Sequence, residues 1–312
     1  MKLKHFLSFA VFVSACTTAP IIAEPAAEEV AVAGWLKKDF AEFSGLLEGR
    51  WDNERHIFFA EDAGVDLNSL APRQHIEFQP ISAEEDSDSM PSEFQSTELF
   101  QDENPISLRH VLSINADKKT IRQTISSVLD GGSSTPAGCV VEWRRQGDQF
   151  VGVGSGSTCG EFFRHEGDAT SQNVEMTLSD SEFWVTSHGG DVPVESRFRK
   201  ARPFECWAAV LRGAKHGDSG KGMNDWYFKR GVKIHDQGGE AVLETDETPS
   251  HKVRLKLRDV DWTYGTNRPS LTLYVMEGDD DRAVSYTWAE GGADRIGMNL
   301  RWIQVSCTHE TK

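Results

Sequence analysis

The chain lacks the short signatures by which many enzyme classes show themselves. It has no GxSxG, no HExxH, no CxxC or CxxCH and no Walker phosphate loop. Those absences remove the usual marks of serine hydrolases, zinc peptidases, dithiol redox proteins, haem attachment and nucleotide binding. Positive charge is scarce: 33 Lys and Arg stand against 49 Asp and Glu, a net charge of −16. A surface of that sign excludes nucleic acid as the main partner. The most apolar run, Phe6 to Ala15, is far short of the roughly twenty residues that a membrane-spanning helix needs. Cysteine is sparse, with five in 312 residues and no zinc-like spacing, so no metal site is expected. No internal repeat is present.

What is there begins at the N-terminus. Lys2 and Lys4 precede the apolar run, which ends in Val13-Ser14-Ala15-Cys16. A basic segment followed by a short apolar one is the layout of a secretory signal, and the last four residues match the bacterial lipobox. Residues 1–16 are therefore expected to direct export, with Cys16 lipidated and serving as the membrane anchor. A plain signal peptide cut near Ala23 is the alternative. Thr17, which is not aspartate, points to the outer membrane, so the expected location is periplasm or outer membrane. Residues 17–33, rich in Thr, Pro, Ala and Glu, read as a flexible tether.

The rest can fold: 38% of residues are hydrophobic, with nine Trp and seventeen Phe. Leu36, Phe40, Phe43 and Leu47 recur on one helical face, and Gly49 follows, predicting a helix over 35–48. Beyond it the period falls to two. Ile76/Phe78, Leu108/Leu112/Ile114, Cys139/Val141/Trp143, Val174/Met176/Leu178 and Val253/Leu255/Leu257 alternate with polar residues, separated by Gly-containing turns. Short strands without intervening helices predict a mainly β chain: an antiparallel, calyx-like β-barrel with an N-terminal helix and additional C-terminal strands. The barrel is assigned to 34–205 and a C-terminal β-region to 206–312. Residues 79–104 carry eight acids and no Lys or Arg; they read as a solvated loop, and their spacing fits no known calcium loop. The four remaining cysteines, an even number in an exported chain, suggest disulfides with three conceivable pairings. Cys139 with Cys159, stapling neighbouring strands, and Cys206 with Cys307, closing the C-terminal segment, are the pairs expected. The alternation Lys252/Arg254/Lys256/Arg258 reads as the solvated face of a strand, able to meet an acidic partner or the protein's own acidic loop.

Four segments, in order, carry a family resemblance. Gly138-Cys139-Val140-Val141-Glu142-Trp143-Arg144-Arg145-Gln146-Gly147-Asp148-Gln149-Phe150-Val151-Gly152 is a hairpin pattern. Leu46 to Asn53, Glu98 to Val111 and Leu178 to Phe198 accompany it. Together, over residues of about 40–200, they resemble the CpcT/CpeT family of phycobiliprotein chromophore lyases. The resemblance implies a barrel that binds a linear tetrapyrrole (bilin) and assists its thioether attachment to a cysteine of an acceptor protein. No resident cofactor is implied; bilin is ligand or substrate. The propionates of a bilin call for guanidinium groups, which nominates Arg109, Arg145 and Arg197. Its pyrrole N–H groups, and the proton delivered as a thiol adds, call for an acid. That nominates Asp191 as carboxylate and candidate catalytic group. Trp143 would be a ring wall, and Asn53 matches a family position at the helix end. Three readings follow: a chromophore lyase-like protein, a non-catalytic lipoprotein holding an apolar small molecule lipocalin-fashion, and an envelope module whose barrel is solidly packed.

Overall fold

The structure, a computed structural model, describes residues 27–311 apart from 67–69, 71, 82–91, 101–104, 130–131, 136–137, 157–158, 160–172, 189–192, 214–223 and 263–265. The signal segment with Cys16, most of the acidic stretch and Asp191 lie outside the described residues.

The chain is mainly β, as its period-two patterning predicts. Helix α1 (Ala27–Leu47) is followed by β1 (Gly49–Asp52), a second helix α2 (Glu54–Asp62) and strands β2 (Gln74–Pro80), β3 (Glu93–Phe100), β4 (Ile106–Asn115), β5 (Thr120–Ser127), β6 (Cys139–Gln146), β7 (Gln149–Ser155), β8 (Asn173–Leu178), β9 (Glu182–Ser187) and β10 (Val194–Ala201). These ten strands form a closed antiparallel barrel in which each pairs with its sequence neighbour and β1 joins β10 to close the ring. Strand β11 (Pro203–Leu211) follows β10 after a single residue, Arg202. It leads into β12 (Trp226–His235), β13 (Gln237–Glu244), β14 (Lys252–Val260), β15 (Ser270–Glu277), β16 (Ala283–Glu290), β17 (Arg295–Asn299) and β18 (Ile303–His309). These make two four-stranded sheets, ordered β12-β11-β18-β17 and β13-β14-β15-β16. Val253, Leu255, Leu257, Leu271, Leu273 and Val275 from one sheet share a core with Cys206, Ala208, Val210, Ile303, Val305 and Cys307 from the other, so the second unit is a β-sandwich.

Four features differ from the sequence reading. The stretch 79–104, which reads as a solvated loop, contains strand β3, whose alternate residues Phe94, Ser96 and Glu98 are buried, so its C-terminal part belongs to the barrel wall. Helix α1 begins at Ala27 and so takes in part of the stretch read as tether. The division between the two β-units falls at Arg202 rather than 205, because β11 with Phe204 already belongs to the sandwich core. Helix α2 has no counterpart in the sequence reading. Its consecutive apolar residues Ile57, Phe58 and Phe59 show no single stripe, since the helix lies between two surfaces and meets both.

The barrel interior is filled by its own side chains. Trp51, Phe94, Trp143, Phe150, Phe183 and Phe198 are buried there with Ile76, Leu108, Val141 and Met176. Helix α1 seats Phe43 among them, 4.9 Å from the Trp143 ring and 5.3 Å from Phe150. Gly152 permits this packing, since a Cβ there would lie 2.7 Å from the Trp143 indole. Both expected disulfides are present, Cys139–Cys159 and Cys206–Cys307. Among the described residues no helix is long and apolar enough to cross a membrane.

Candidate functional site

The residues nominated from the sequence do not converge. Trp143 is core: its indole N–H donates to Gln123 Oε1 at 2.9 Å and its ring packs under α1. Arg145 stands at the mouth that α1 covers. Its guanidinium bonds Asp39 at 2.6 Å and also Glu42, and it lies 4.7 Å from the Phe150 ring centroid, so it fastens the helix. Arg109 faces outward on β4 and pairs with Glu93 at 2.6 Å. Arg197 also faces outward, held by Glu195 at 2.6 Å and stacked on Trp184. Asn53 is buried and pins residues 72–74 to the β1–α2 junction: its Nδ2 donates to Pro72 O at 2.7 Å and its Oδ1 accepts from the Gln74 N–H at 2.8 Å. All five side chains thus have local structural partners, and Trp143 faces a packed lumen.

A large cavity lies elsewhere, in a cleft of about 1450 Å³ between the outer face of the barrel at β1 and β2 and the sandwich strands β12 to β16. Clefts between structural units are a common place for ligand sites. Alternation along β1 explains the barrel wall: Trp51 points into the core, so Arg50 and Asp52 point out. The β1–β2 register sets Arg50 beside Glu77 and Asp52 beside His75 on that outer face. The opposite wall is built from β14 and β15, whose outward residues include Lys256, Arg258, Tyr274 and Met276. Helix α2 contributes Glu54, Ile57 and Phe58.

Where the two units touch, charged groups are buried together. Asp52 is fully buried; its Oδ1 accepts from Arg73 and from the Glu54 backbone N–H at 2.8 Å. Its Oδ2 has no hydrogen-bond partner and sits 3.8 Å from His235 Nε2. Burial outweighs the neighbouring Arg73 and pushes the Asp52 carboxyl up to about 6. Burial likewise pushes His235 down to about 3 and His75 to about 4, with Arg50 opposing a further positive charge beside each. The two imidazoles stand edge to face, 6.0 Å apart. Arg258 lies 3.8 Å over the Phe58 ring and 2.9 Å from Glu54 Oε1. That ion pair is a Coulombic contact rather than a directed hydrogen bond, because Arg258 Nε and Nη2 both lack an acceptor. Buried polar atoms without partners are rare in folded proteins and cost about 1–3 kcal/mol each. Here Asp52 Oδ2, His235 Nδ1 and the two Arg258 nitrogens cluster at one junction. Neither protein-family models, curated proteins nor solved structures provide a match to this chain, so the tetrapyrrole reading rests on the four sequence segments.

The alternating basic residues of β14 meet acids on β13 and in the β15–β16 turn rather than, among the described residues, the acidic loop expected as one of their partners. Lys252 pairs with Asp279 at 2.5 Å, Arg254 with Asp281 at 2.8 Å and Lys256 with Glu240 at 3.2 Å. Sequence reasoning placed this row on a strand but had no means of seeing that its last member is buried against α2. It also passed over His75, His235 and Asp52, which are isolated polar residues in the sequence and become a group only when the sandwich folds onto the barrel. Among the described residues no group of three or more His, Cys, Asp or Glu is arranged to hold a metal ion.

Docking of the two units depends on one close approach. Gly238 has φ +72°, and a Cβ on it would lie 2.5 Å from Glu54 Cγ. Gly238→Ala should therefore cost about 2–3 kcal/mol, from strained backbone plus displacement of Glu54. Gly231 also has a positive φ, +66°, but nothing within 4 Å of its missing Cβ. Gly231→Ala should cost about 1 kcal/mol. Thermal melts of both variants check the contrast, and equal losses would remove Gly238 from the docking argument.

Proposed function

We propose that the protein is an exported ligand-binding protein that takes an amphipathic, carboxylate-bearing small molecule in the cleft between barrel and sandwich. The observation that carries this is Arg258: a buried guanidinium stacked on Phe58, with Nη2 lacking any acceptor, at the wall of a large cleft. Nη2 is closed to solvent, so a ligand carboxylate reaches it as the covering side chains at the cleft wall move aside, and it then completes the guanidinium's hydrogen bonding. Ile57, Phe58, Tyr274 and Met276 supply apolar and aromatic surface beside it. The cavity exceeds the roughly 300–1,000 Å³ of ordinary small-molecule pockets, so a ligand of tetrapyrrole size fits its dimensions. A bilin, the ligand implied by the CpcT/CpeT-like segments, is the first candidate, seated outside the barrel rather than in its lumen.

Binding rather than transfer is the reading favoured here. All four described cysteines are in disulfides, so any thiol for bilin attachment would belong to an acceptor protein. Asp52, the acid poised to titrate near neutrality, lies beneath His235 with no exposed surface. Two disulfides and the lipobox-like N-terminus support an oxidising location outside the cytoplasm, with Cys16 as the proposed lipid anchor.

The test is a titration of the full chain with biliverdin, followed by visible absorbance, and with a dansylated fatty acid, followed by fluorescence. Saturable binding of either, weakened about tenfold or more in Arg258→Met, is expected. Trp143→Phe, which alters the lumen, should leave the affinity unchanged. Loss of binding in Trp143→Phe with none in Arg258→Met would move the site into the barrel. No saturable response to either probe would overturn the reading.

A further inference from the structure

Two cross-strand rows lead out of the cleft and end on exposed aromatic rings. Directly opposed residues of neighbouring strands lie on one face of a sheet, so the register shows where each row runs. Lys256 lies opposite Tyr274, and Tyr274 opposite Tyr286; Arg258 lies opposite Thr272, and Thr272 opposite Trp288. The β15–β16 register is continuous from Ser270 and Glu290 to Val275 and Ser285, and its bulge lies beyond these rows. Lys256, Arg258 and Tyr274 line the cleft, whereas Tyr286 and Trp288 lie past its rim on β16, the outermost strand of the sheet. The Tyr274 and Tyr286 rings stand 6.0 Å apart, so aromatic surface crosses the rim without a gap.

Tyr286 and Trp288 are 64% and 69% exposed, more than any other large hydrophobic side chain among the described residues. Adjacent apolar rings left in water beside a cavity mark a contact surface. Each row begins on a cation inside the cleft and ends on an uncharged ring outside it. The matching ligand has an anionic head and a flat apolar body. At about 4.8 Å per strand, Trp288 lies about 10 Å from Arg258 across the sheet backbone. A rigid conjugated body spans that distance without ordering a flexible chain, and its faces stack on Tyr and Trp. A saturated chain of equal length would lose rotamer freedom and offer no ring face. A protein resting on β16 would not reach Arg258 in the cleft wall.

We infer, resting on the cleft reading above, that Tyr286 and Trp288 form an outer subsite of the cleft. Its ligand class is an elongated, conjugated acid, held by its carboxylate at Arg258 and by stacking of its far rings on β16.

The test titrates the full chain with biliverdin, followed by visible absorbance, and with palmitate, followed by displacement of biliverdin. Tyr286→Ser and Trp288→Ser should each weaken biliverdin about tenfold, while Trp288→Phe, which keeps a ring, retains most of the affinity. Both side chains are exposed, so the melting temperature should stay near that of the wild type. Palmitate should bind wild type at least about tenfold more weakly than biliverdin. Biliverdin affinity that is indifferent to both serine variants, yet weakened by Arg258→Met, overturns the outer subsite alone. Palmitate binding as tightly as biliverdin overturns the ligand class, as does a cleft that takes the dansylated fatty acid but not biliverdin; the cleft reading stands in both cases. Serine variants that change only the sedimentation of the chain would assign the rings to a contact between copies and overturn the subsite. No saturable response to any of these probes removes the cleft reading and the subsite with it.

Discussion

Lowering the pH from 7 to 4 should markedly destabilise this protein, through its buried histidines and against the trend of its most perturbed carboxylate. His110 lies inside the barrel between Ser96 Oγ, 2.8 Å from Nε2, and Gln123 Nε2, 2.9 Å from Nδ1. Because Trp143 Nε1–H donates to Gln123 Oε1, the Gln123 amide must present its N–H to His110. The hydrogen-bond chain therefore assigns Nδ1 as acceptor and Nε2 as the protonated nitrogen. A second proton on Nδ1 would face a donor. Burial alone holds His110 down to about 3, and burial is the main cause for His235 at about 3. In the unfolded chain each would accept a proton near 6.5. Between those limits the unfolded state binds more protons, so stability falls as pH falls below 6.5. By pH 4 each costs on the order of 3 kcal/mol, at about 1.4 kcal/mol per pH unit. Asp52 runs the other way. With its folded value raised to about 6, its contribution is complete below about pH 4 and lost as pH rises through 6, on the order of 2–3 kcal/mol. Two histidines outweigh one aspartate, and His75, also lowered, adds to them. Even before the share of the half-buried His75, the expected net loss is about 3–4 kcal/mol, a large part of a stability near 5–15 kcal/mol. Urea midpoints measured at half-unit steps from pH 7.5 to 4 read the slope directly. His110→Gln, which keeps one acceptor and one donor, should flatten it by roughly half. A midpoint constant from pH 7 to 5 would mean that these histidines are solvated or protonated in the folded state.

Those same residues show where sequence reasoning stops. Alternation at Cys139/Val141/Trp143 and Leu108/Leu112 gave both the strands and their inward faces, because a period of two is a local property of the chain. The N-terminal helix was legible from Leu36, Phe40, Phe43 and Leu47, all on its buried or half-buried side. The disulfide pairs were legible because each pairs cysteines in neighbouring strands or chain segments. Helix α2 was not legible: its Asn53-Glu54 start resembles a helix cap, yet the Asn53 side chain bonds residues 72–74 instead of the helix. The cleft was invisible for a stronger reason. Asp52, His75, His235 and Arg258 come from β1, β2, β12 and β14, and only the placement of the sandwich against the barrel gathers them. Reading the barrel as a calyx put candidate ligands into a lumen that Phe43 and the aromatic strand residues fill. Gln237-Gly238-Gly239 was read as a turn but opens β13 with a register shift, its glycines making room for Glu54 and His235.

Removing the two disulfides should have unequal effects. Cys206 and Cys307 sit opposite one another in the β11–β18 pair and tie the first strand of the sandwich to the last, 101 residues apart. Cys139–Cys159 closes a span of only 20 residues beside the barrel. If a cross-link acts mainly by restricting the unfolded chain, the longer loop contributes about 4.7 kcal/mol and the shorter about 3.3 kcal/mol. The larger value also falls on the smaller unit, whose core must hold two separate sheets together. Cys206→Ala/Cys307→Ala should therefore unfold the sandwich at a temperature where the barrel persists, giving two transitions in place of one. Cys139→Ala/Cys159→Ala should lower the barrel transition by a smaller amount. Alanine is the right replacement because all four positions are fully buried and serine would leave a hydroxyl without a partner. Hydrogen exchange assigns the transitions: strands β11 to β18 should lose protection first in the former variant, while β4 to β7 keep theirs. Arg202 links the fates of the two units, since it bonds Asp236 at 2.6 Å and Asp259 at 3.1 Å from the first residue after β10. A barrel that unfolds together with the Cys206/Cys307 variant's sandwich would mean that this junction, rather than either core, sets the unit of cooperativity.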